Sequence, residues 1–411
     1  MAIALLDELR PPLVPREALL EADRCLACGE AHAPAPCRVA CPADVDVPAF
    51  VGALADGDTD AAARTILAAN LLGGTCARVC PVEVLCEGAC VVRDAIPIGK
   101  LQRYALDRSP ASTARLRPQA APNGRAVAVV GAGPAGMACA GELALRGYAV
   151  TLYDERDEPG GLARFAIAPY RIAREPLPRE LRVLRELGVD LHFDRRIVLA
   201  DLEDYAAVFL GVGAGPDTEV AYPGDAVLGV WNSLDFIEGI KRGAPPAVGR
   251  RVVVVGGGNT AIDVAREALR LGADDVTIVY RRTRNELPAY GHEVAEAEAE
   301  GVRFQWLAAP RRVLGDPRVE AVECELMRLG EPDESGRRRP VPIDGSEFVL
   351  PCDTLVKAIG QAGPRVEVGE TWQTSDPRVF AGGDAVNGGS SVVEAVREGR
   401  DAAVAVDRWL S

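Results

Sequence analysis

The stretch from residue 126 to 154 decides the fold. Ala126-Val127-Ala128-Val129-Val130 runs into Gly131-Ala132-Gly133-Pro134-Ala135-Gly136, a helical segment follows to Arg146, and Ala149–Tyr153 ends at Asp154. A short apolar run bounded by turn signals reads as a buried strand. Strand, glycine turn, helix, strand and acid within about 30 residues make a dinucleotide-binding βαβ unit. In such a turn the first glycine permits the tight bend, the second lets backbone amides approach a pyrophosphate, and the third packs helix on strand. The start of the helix then presents unpaired N–H groups and a positive dipole end to phosphate. Asp154 can accept hydrogen bonds from both hydroxyls of an adenosine ribose, which suits FAD or NAD. Gly160-Gly161 behind it offers further close backbone approach.

Working outward, a second unit of the same kind follows. Arg251–Val255 is the strand, Gly256-Gly257-Gly258-Asn259-Thr260-Ala261 the turn, 262–270 the helix and 276–280 the next strand. Here the strand runs into Arg281 and Arg282, with Arg284 beyond, and not into an acid. Guanidinium groups pair with a ribose 2′-phosphate, so this site is expected to take NADPH. The bland alternative is a solvated basic face. Glu286 is close enough to offset part of the charge, which leaves room for NADH. One glycine fingerprint is weak evidence; two, each in strand–helix context, are much stronger.

A third segment closes the first site. Val379-Phe380-Ala381-Gly382-Gly383-Asp384 precedes Gly388-Gly389-Ser390-Ser391 and a helix over 392–409. Asp384 after a strand can hold a ribityl hydroxyl, and Ser390 or Ser391 can cap the helix. The positive helix end would stabilise the negative charge that builds on a flavin when it is reduced. The expected fold class is therefore α/β. An N-terminal helical domain (1–110) is followed by an FAD-binding domain in two parts (111–228 and 352–411), with an NAD(P)H-binding domain (229–351) inserted. Residues 109–124, with Ser-Pro, Arg-Pro, Ala-Pro and Asn-Gly, read as a linker.

The N-terminal region is marked by cysteine. Of eleven in the chain, eight fall between Cys25 and Cys90: Cys25, Cys28, Cys37 and Cys41-Pro42, then Cys76, Cys80-Pro81, Cys86 and Cys90. No basic-then-apolar leader opens the sequence, so a cytoplasmic setting is expected and a disulfide framework is not. A cysteine followed by proline at the end of a short-spaced set is typical of [4Fe–4S] ligation, where separate runs share clusters. Two cubanes need eight ligands, and eight cysteines are present. Structural zinc and reactive surface thiols are the bland readings, since CxxC pairs also suit zinc. The second set, however, has no CxxC. The other cysteines are Cys139, read as a core residue on the helix after the first glycine turn, and Cys324 and Cys352.

Composition bounds the rest. With 411 residues, 48% hydrophobic and 26% charged, the chain reads as a globular protein of two to three domains. A net charge of −14 argues against nucleic acid or an anionic membrane as the main partner. Apolar runs fall far short of the ~20 residues of a membrane span.

These motifs together resemble the FAD/NADPH electron-input family of the glutamate synthase small subunit and of the N-terminal part and flavin subunit of dihydropyrimidine dehydrogenase. The resemblance rests on Arg24-Cys25-x2-Cys28, Cys41-Pro42, Gly74-Thr75-Cys76-Ala77-Arg78-Val79-Cys80-Pro81, Cys86-x3-Cys90, Ile98-Gly99-Lys100-Leu101-Gln102, both glycine turns and Ala381-Gly382-Gly383-Asp384. It implies two interleaved [4Fe–4S] clusters. One would be held by Cys25, Cys28, Cys37 and Cys90, the other by Cys41, Cys80, Cys86 and the side chain of Gln102, with Cys76 the alternative fourth ligand. The segment 29–36 between Cys28 and Cys37 is longer than the family's usual gap; its His32 reads as an exposed loop histidine. The implied activity is electron input: hydride from NADPH to FAD, then single electrons through the clusters to a protein acceptor, without a classical acid or base catalyst. An FMN-containing subunit of a dihydropyrimidine dehydrogenase ranks slightly ahead of a glutamate synthase. A stand-alone diaphorase or ferredoxin reductase and a non-catalytic redox sensor are the remaining alternatives.

Overall fold

A computed structural model describes residues 8–29, 33–109, 116–173, 176–333, 336–363 and 365–411; His32 lies outside them. The chain divides into two compact units. One comprises Glu8–Arg164, Arg171–Gly215 and Gly363–Ser411, the other Phe165–Tyr170 and Pro216–Ala362.

The first unit begins with short helices, among them Val47–Ala55, Thr59–Ala69, Gly73–Val79 and Ile98–Arg108. Asp46 and Asp58 cap two of them by accepting from Ala49 N (3.1 Å) and Ala61 N (2.8 Å). Gly57, at φ +78°, separates these two helices. Phe50, Val51, Ala62, Ile66, Leu101 and Ala105 are fully buried and knit the helices together.

The same unit continues into a parallel five-stranded sheet in the spatial order Val379–Ala381, Ala207–Leu210, Ala126–Val130, Ala149–Tyr153, Asp190–His192. Its central strand is apolar without alternation because both faces are covered. The helix Pro134–Leu145 is buried all round, from Ala135 to Leu145. The long helix Val392–Leu410 packs along it. Their backbones approach closely: a Cβ on Gly399 would lie 2.0 Å from Ala135 O. A Cβ on Gly141 would lie 2.2 Å from Leu71 of the helical region, so that region and the flavin-type domain share one packed core.

The second unit holds its own parallel sheet, ordered Val230–Asn232, Thr354–Lys357, Arg251–Val255, Asp275–Tyr280, Arg303–Trp306. One face, with Val252, Val254 and Ile278, packs on helices that contribute Phe236, Ile262 and Val264. The other, with Val253, Val255 and Val279, packs on Val313, Val322 and Cys324. Those three belong to a layer of antiparallel strands, Ala308–Leu314, Ala321–Pro332, Arg338–Pro342 and Phe348–Pro351. Among the described residues no helix is long and apolar enough to cross a membrane.

Candidate cofactor sites

The first glycine turn is shaped by what its glycines exclude. Gly131 sits at φ +101°, and a Cβ there would lie 2.3 Å from Gly211 O. A Cβ on Gly136 would lie 1.8 Å from Gly131 O. Gly133 is different: the nearest atoms to its Cβ position are Gly161 Cα at 3.9 Å and Gly211 O at 4.0 Å. Two tight glycines and one facing space form the cradle that a pyrophosphate needs at the start of the helix opened by Pro134. Gly160 N donates to Ala132 O (2.8 Å) and brings Gly161 beside the turn. Asp154 accepts from Ala132 N (2.6 Å) and Arg156 N (2.8 Å), so its carboxylate holds the turn itself; burial raises its pKa.

The third segment comes to the same place. Its strand lies in the same sheet as the Ala126–Val130 strand, and a Cβ on Gly383 would lie 2.9 Å from Ala135 Cβ. Asp384 accepts from Ser390 N (3.3 Å) and is pushed up by burial. Ser391 caps the long helix, accepting from Glu394 N (3.3 Å), while Glu394 accepts from Ser391 N (3.1 Å) in return. Sequence reasoning missed Glu398. This buried carboxylate accepts from Gly383 N (2.7 Å) and Asn387 Nδ2 (3.2 Å), fixing the Gly382-Gly383 turn to the helix. A glutamate at that place in an amphipathic helix gives no signal in sequence.

In the second unit Gly256, at φ +143°, would place a Cβ 2.0 Å from Ala358 O, whereas Gly258 faces space, with no atom within 4 Å. The helix Asn259–Arg270 starts there, with Asn259 accepting from Tyr290 N (3.0 Å) and Thr260 half-buried in the first turn. The two arginines part company. Arg281 is exposed. Arg282 is buried, with Nε donating to Arg338 O (2.7 Å) and Nη2 to Asp333 (2.6 Å). It is a tie between the strand end and the antiparallel layer, which corrects the expectation that it meets a phosphate. Arg284 pairs with Glu298, and Glu286 accepts from Thr283 N (3.1 Å), its carboxyl held low by the Thr283 hydroxyl.

The cysteines fall into two groups. Cys25, Cys28, Cys37 and Cys90 line one cavity together with Leu26 and Val51. Ala27, at φ +47°, turns the chain between the first two. Burial pushes the Cys37 thiol up to about 11, with Cys25 and Cys90 adding to the effect. The second group is more crowded. The Cys80 thiol is driven up first by its hydrogen bond with Cys76, then by burial and by Cys76, Cys86 and Cys41 nearby. Burial raises Cys41, which also feels Cys76 and accepts from the amides of Val45 and Ala43. Burial likewise raises Cys86, with Glu87 and Cys41 adding to it. Sulfurs gathered this closely form the kind of soft donor set that iron–sulfur ligation takes.

The structure thus brings Cys76 into the second group. Gln102 lies one helix away and donates its amide to Gly73 O (2.7 Å). Behind Cys76, the buried Glu180 accepts from Thr75 N (2.9 Å) and Thr75 Oγ1 (2.6 Å), and burial pushes it up to about 7. Cys139 is fully buried in the flavin-type core. Among the described residues no three His, Cys, Asp or Glu side chains converge tightly enough to hold a single metal ion. A cubane is a larger object whose four irons each take one protein ligand.

Comparison with known proteins fits both halves. Residues 3–114 match the family described as dihydropyrimidine dehydrogenase domain II, 4Fe-4S cluster, and residues 125–399 match pyridine nucleotide-disulphide oxidoreductase. The glutamate synthase [NADPH] small chain of Halomonas elongata is 36% identical over 98% of this chain and 93% of its own. The NADP(+)-dependent formate dehydrogenase subunit beta of Moorella thermoacetica is 38% identical over 92% of this chain, which spans 60% of that relative's length. Mycobacterium tuberculosis FprA in complex with NADPH shares the fold at 20% identity, with a TM-score of 0.60 over 72% of this chain and 85% of its own. FAD, NADPH and [4Fe–4S] centres are thus the cofactors to which these cradles and cysteine groups correspond. The chain belongs to the family of NAD(P)H-dependent flavin and iron–sulfur oxidoreductases that includes the small chain of glutamate synthase.

Proposed function

We propose that this chain is an electron-input subunit that draws hydride from NADPH and hands single electrons to a protein partner through two [4Fe–4S] clusters. The observation that carries this reading is the packing of the two cysteine groups and the flavin-type cradle into one unit. When bound, FAD supplies the conversion between a hydride pair and single electrons, and the clusters supply the one-electron path. The chain's own residues bind and orient. Gly131, Gly133 and Gly136 would seat the FAD pyrophosphate, with Asp154 and Asp384 at its sugar hydroxyls and the Ser391-capped helix facing its ring. Gly258, Asn259 and Thr260 would seat the NADPH pyrophosphate, with Arg281 at the 2′-phosphate. Cys25, Cys28, Cys37 and Cys90 would hold one cluster; Cys41, Cys80 and Cys86 would hold the other, and for the fourth place Cys76, hydrogen-bonded to Cys80, is taken over Gln102, whose amide is bonded to Gly73 O.

The partner is read as an FMN-containing subunit that reduces pyrimidines, in keeping with the match of residues 3–114. A glutamate synthase large subunit is the second reading, favoured by the near-complete span of the Halomonas relative. Mixing the purified chain with each candidate subunit and its substrate tests the choice. The true partner speeds NADPH oxidation; acceleration by neither removes both readings. On the donor side, Arg281→Ala should raise KM for NADPH by about 10- to 100-fold, the loss of a charge-assisted pair, and leave NADH little changed. Arg282→Ala should lower stability without a change of nucleotide preference. Equal KM increases for both nucleotides in Arg281→Ala would contradict the assignment.

A further inference from the structure

One side chain of the long helix reaches out of the flavin-type domain. Arg400 Nη1 donates to Ala43 O (2.8 Å) and to Ala69 O (3.1 Å), and the guanidinium pairs with Asp401. Neither carbonyl is an arbitrary surface group. Ala43 lies two residues beyond Cys41, and the Ala43 amide points at the Cys41 sulfur. Ala69 is the last residue of the helix Thr59–Ala69, where carbonyls lack helical partners and a cation is favoured. Directly after it, Asn70 accepts from Leu72 N (2.9 Å) and starts the turn into Gly73–Val79, the helix that carries Cys76 toward Cys80. One guanidinium therefore holds both chain entries to the second cysteine group. The helix it springs from also carries the Ser391 cap, Glu398 on Gly383 and Gly399 against Ala135.

We propose that Arg400 is a positioning residue for electron transfer, fixing the Cys41 and Cys76 arms of the second cysteine group to the helix that frames the flavin site. This rests on the electron-input reading above. Each transfer moves one electron, lost by the reduced flavin and gained by a cluster, with no bond to iron formed or broken. The contacts of Arg400 are to two backbone carbonyls and to Asp401. Arg400 removes slack from a distance on which the rate depends steeply, and the Asp44 amide, of the same peptide unit as Ala43 O, donates to Cys41 O (2.9 Å), so the clamp also fixes the Cys41 turn.

The test uses the full chain with its cofactors bound, as Arg400→Gln and Arg400→Lys. In anaerobic rapid mixing with NADPH, flavin reduction should keep its wild-type rate in both variants. Cluster reduction should slow by about 10- to 100-fold in Arg400→Gln, the cost of small misplacement, and recover in part in Arg400→Lys. Amide hydrogen exchange should rise at residues 41–45 and 69–73 of Arg400→Gln while staying unchanged at 131–136. Unchanged exchange with an unchanged cluster phase would overturn the proposal. Equal slowing of both phases would overturn it too, because it would show a general loss of structure. If the wild-type clusters are not reduced by NADPH at all, it is the electron-input reading that fails, whereas the exchange pattern still judges the clamp.

Discussion

The two cysteine groups are built from the same residue type a few turns apart, yet they differ in surroundings. Around the first, Leu26 and Val91 are each at least 60% exposed, and each is next to a cysteine of that group. Around the second, Cys76 is buried, its neighbour Thr75 is locked to the buried Glu180, and Arg400 reaches Ala43 beside Cys41. One group faces outward and the other is held against the flavin-type domain. Hydrogen bonding and solvent exposure are levers on iron–sulfur potential. Similar thiol sets in different surroundings can thus differ in the potential of what they hold.

The largest effect expected from this contrast concerns ligand identity. Cys76→Ala should cut iron from about eight to about four per chain, whereas Gln102→Ala should leave iron content and the cluster spectrum unchanged. The reverse result would move Gln102 into the fourth position. Next comes accessibility. Treatment with an oxidant and a chelator should release iron in two phases, the faster one holding about half of it. Cys28→Ala should remove the fast phase only; a single phase would dissolve the distinction between outer and inner groups.

The smallest effect is on pH. Burial lifts Glu180 from an ordinary glutamate value to about 7. Between the unfolded pKa and about 7 the folded chain therefore keeps a proton that the unfolded chain releases. The stability this group contributes is fully present below the unfolded value, is lost as pH rises through about 7, and is flat beyond. The loss is on the order of 3 kcal/mol. Glu267, buried in the other unit, is lifted by burial to about 7 in the same direction. Denaturation midpoints at pH 5 and pH 8 should differ in wild type. The difference should shrink for the first unit in Glu180→Gln, while the Glu267 share persists. No change in the pH slope would place Glu180 in water.

Much of this was legible in sequence where geometry demands particular residues. Only glycine fits where Gly131 lies against Gly211 and Gly256 against Ala358, so both turns announce themselves. The continuous apolar run over residues 252–255 reads as covered on both faces, but not by what. One cover is an antiparallel layer whose strands mix prolines and arginines with apolar residues, as in Ala308–Leu314, and show no clean period. Arg282 looked like a phosphate ligand because its partners, Asp333 and the Arg338 carbonyl, lie about 50 residues on along the chain. Glu398 and Arg400 were invisible for the same reason: a polar residue on a helix does not declare which distant carbonyl or amide it meets.

The most direct measurement of the central claim is an anaerobic titration with NADPH, following the flavin band and the paramagnetic signals of reduced clusters together. The flavin should bleach, signals of two magnetically distinct clusters should then develop, and the chain should take up about four electrons, two on the flavin and one on each cluster. A flavin that bleaches after one equivalent, with iron–sulfur centres left oxidised however much NADPH is added, would contradict it.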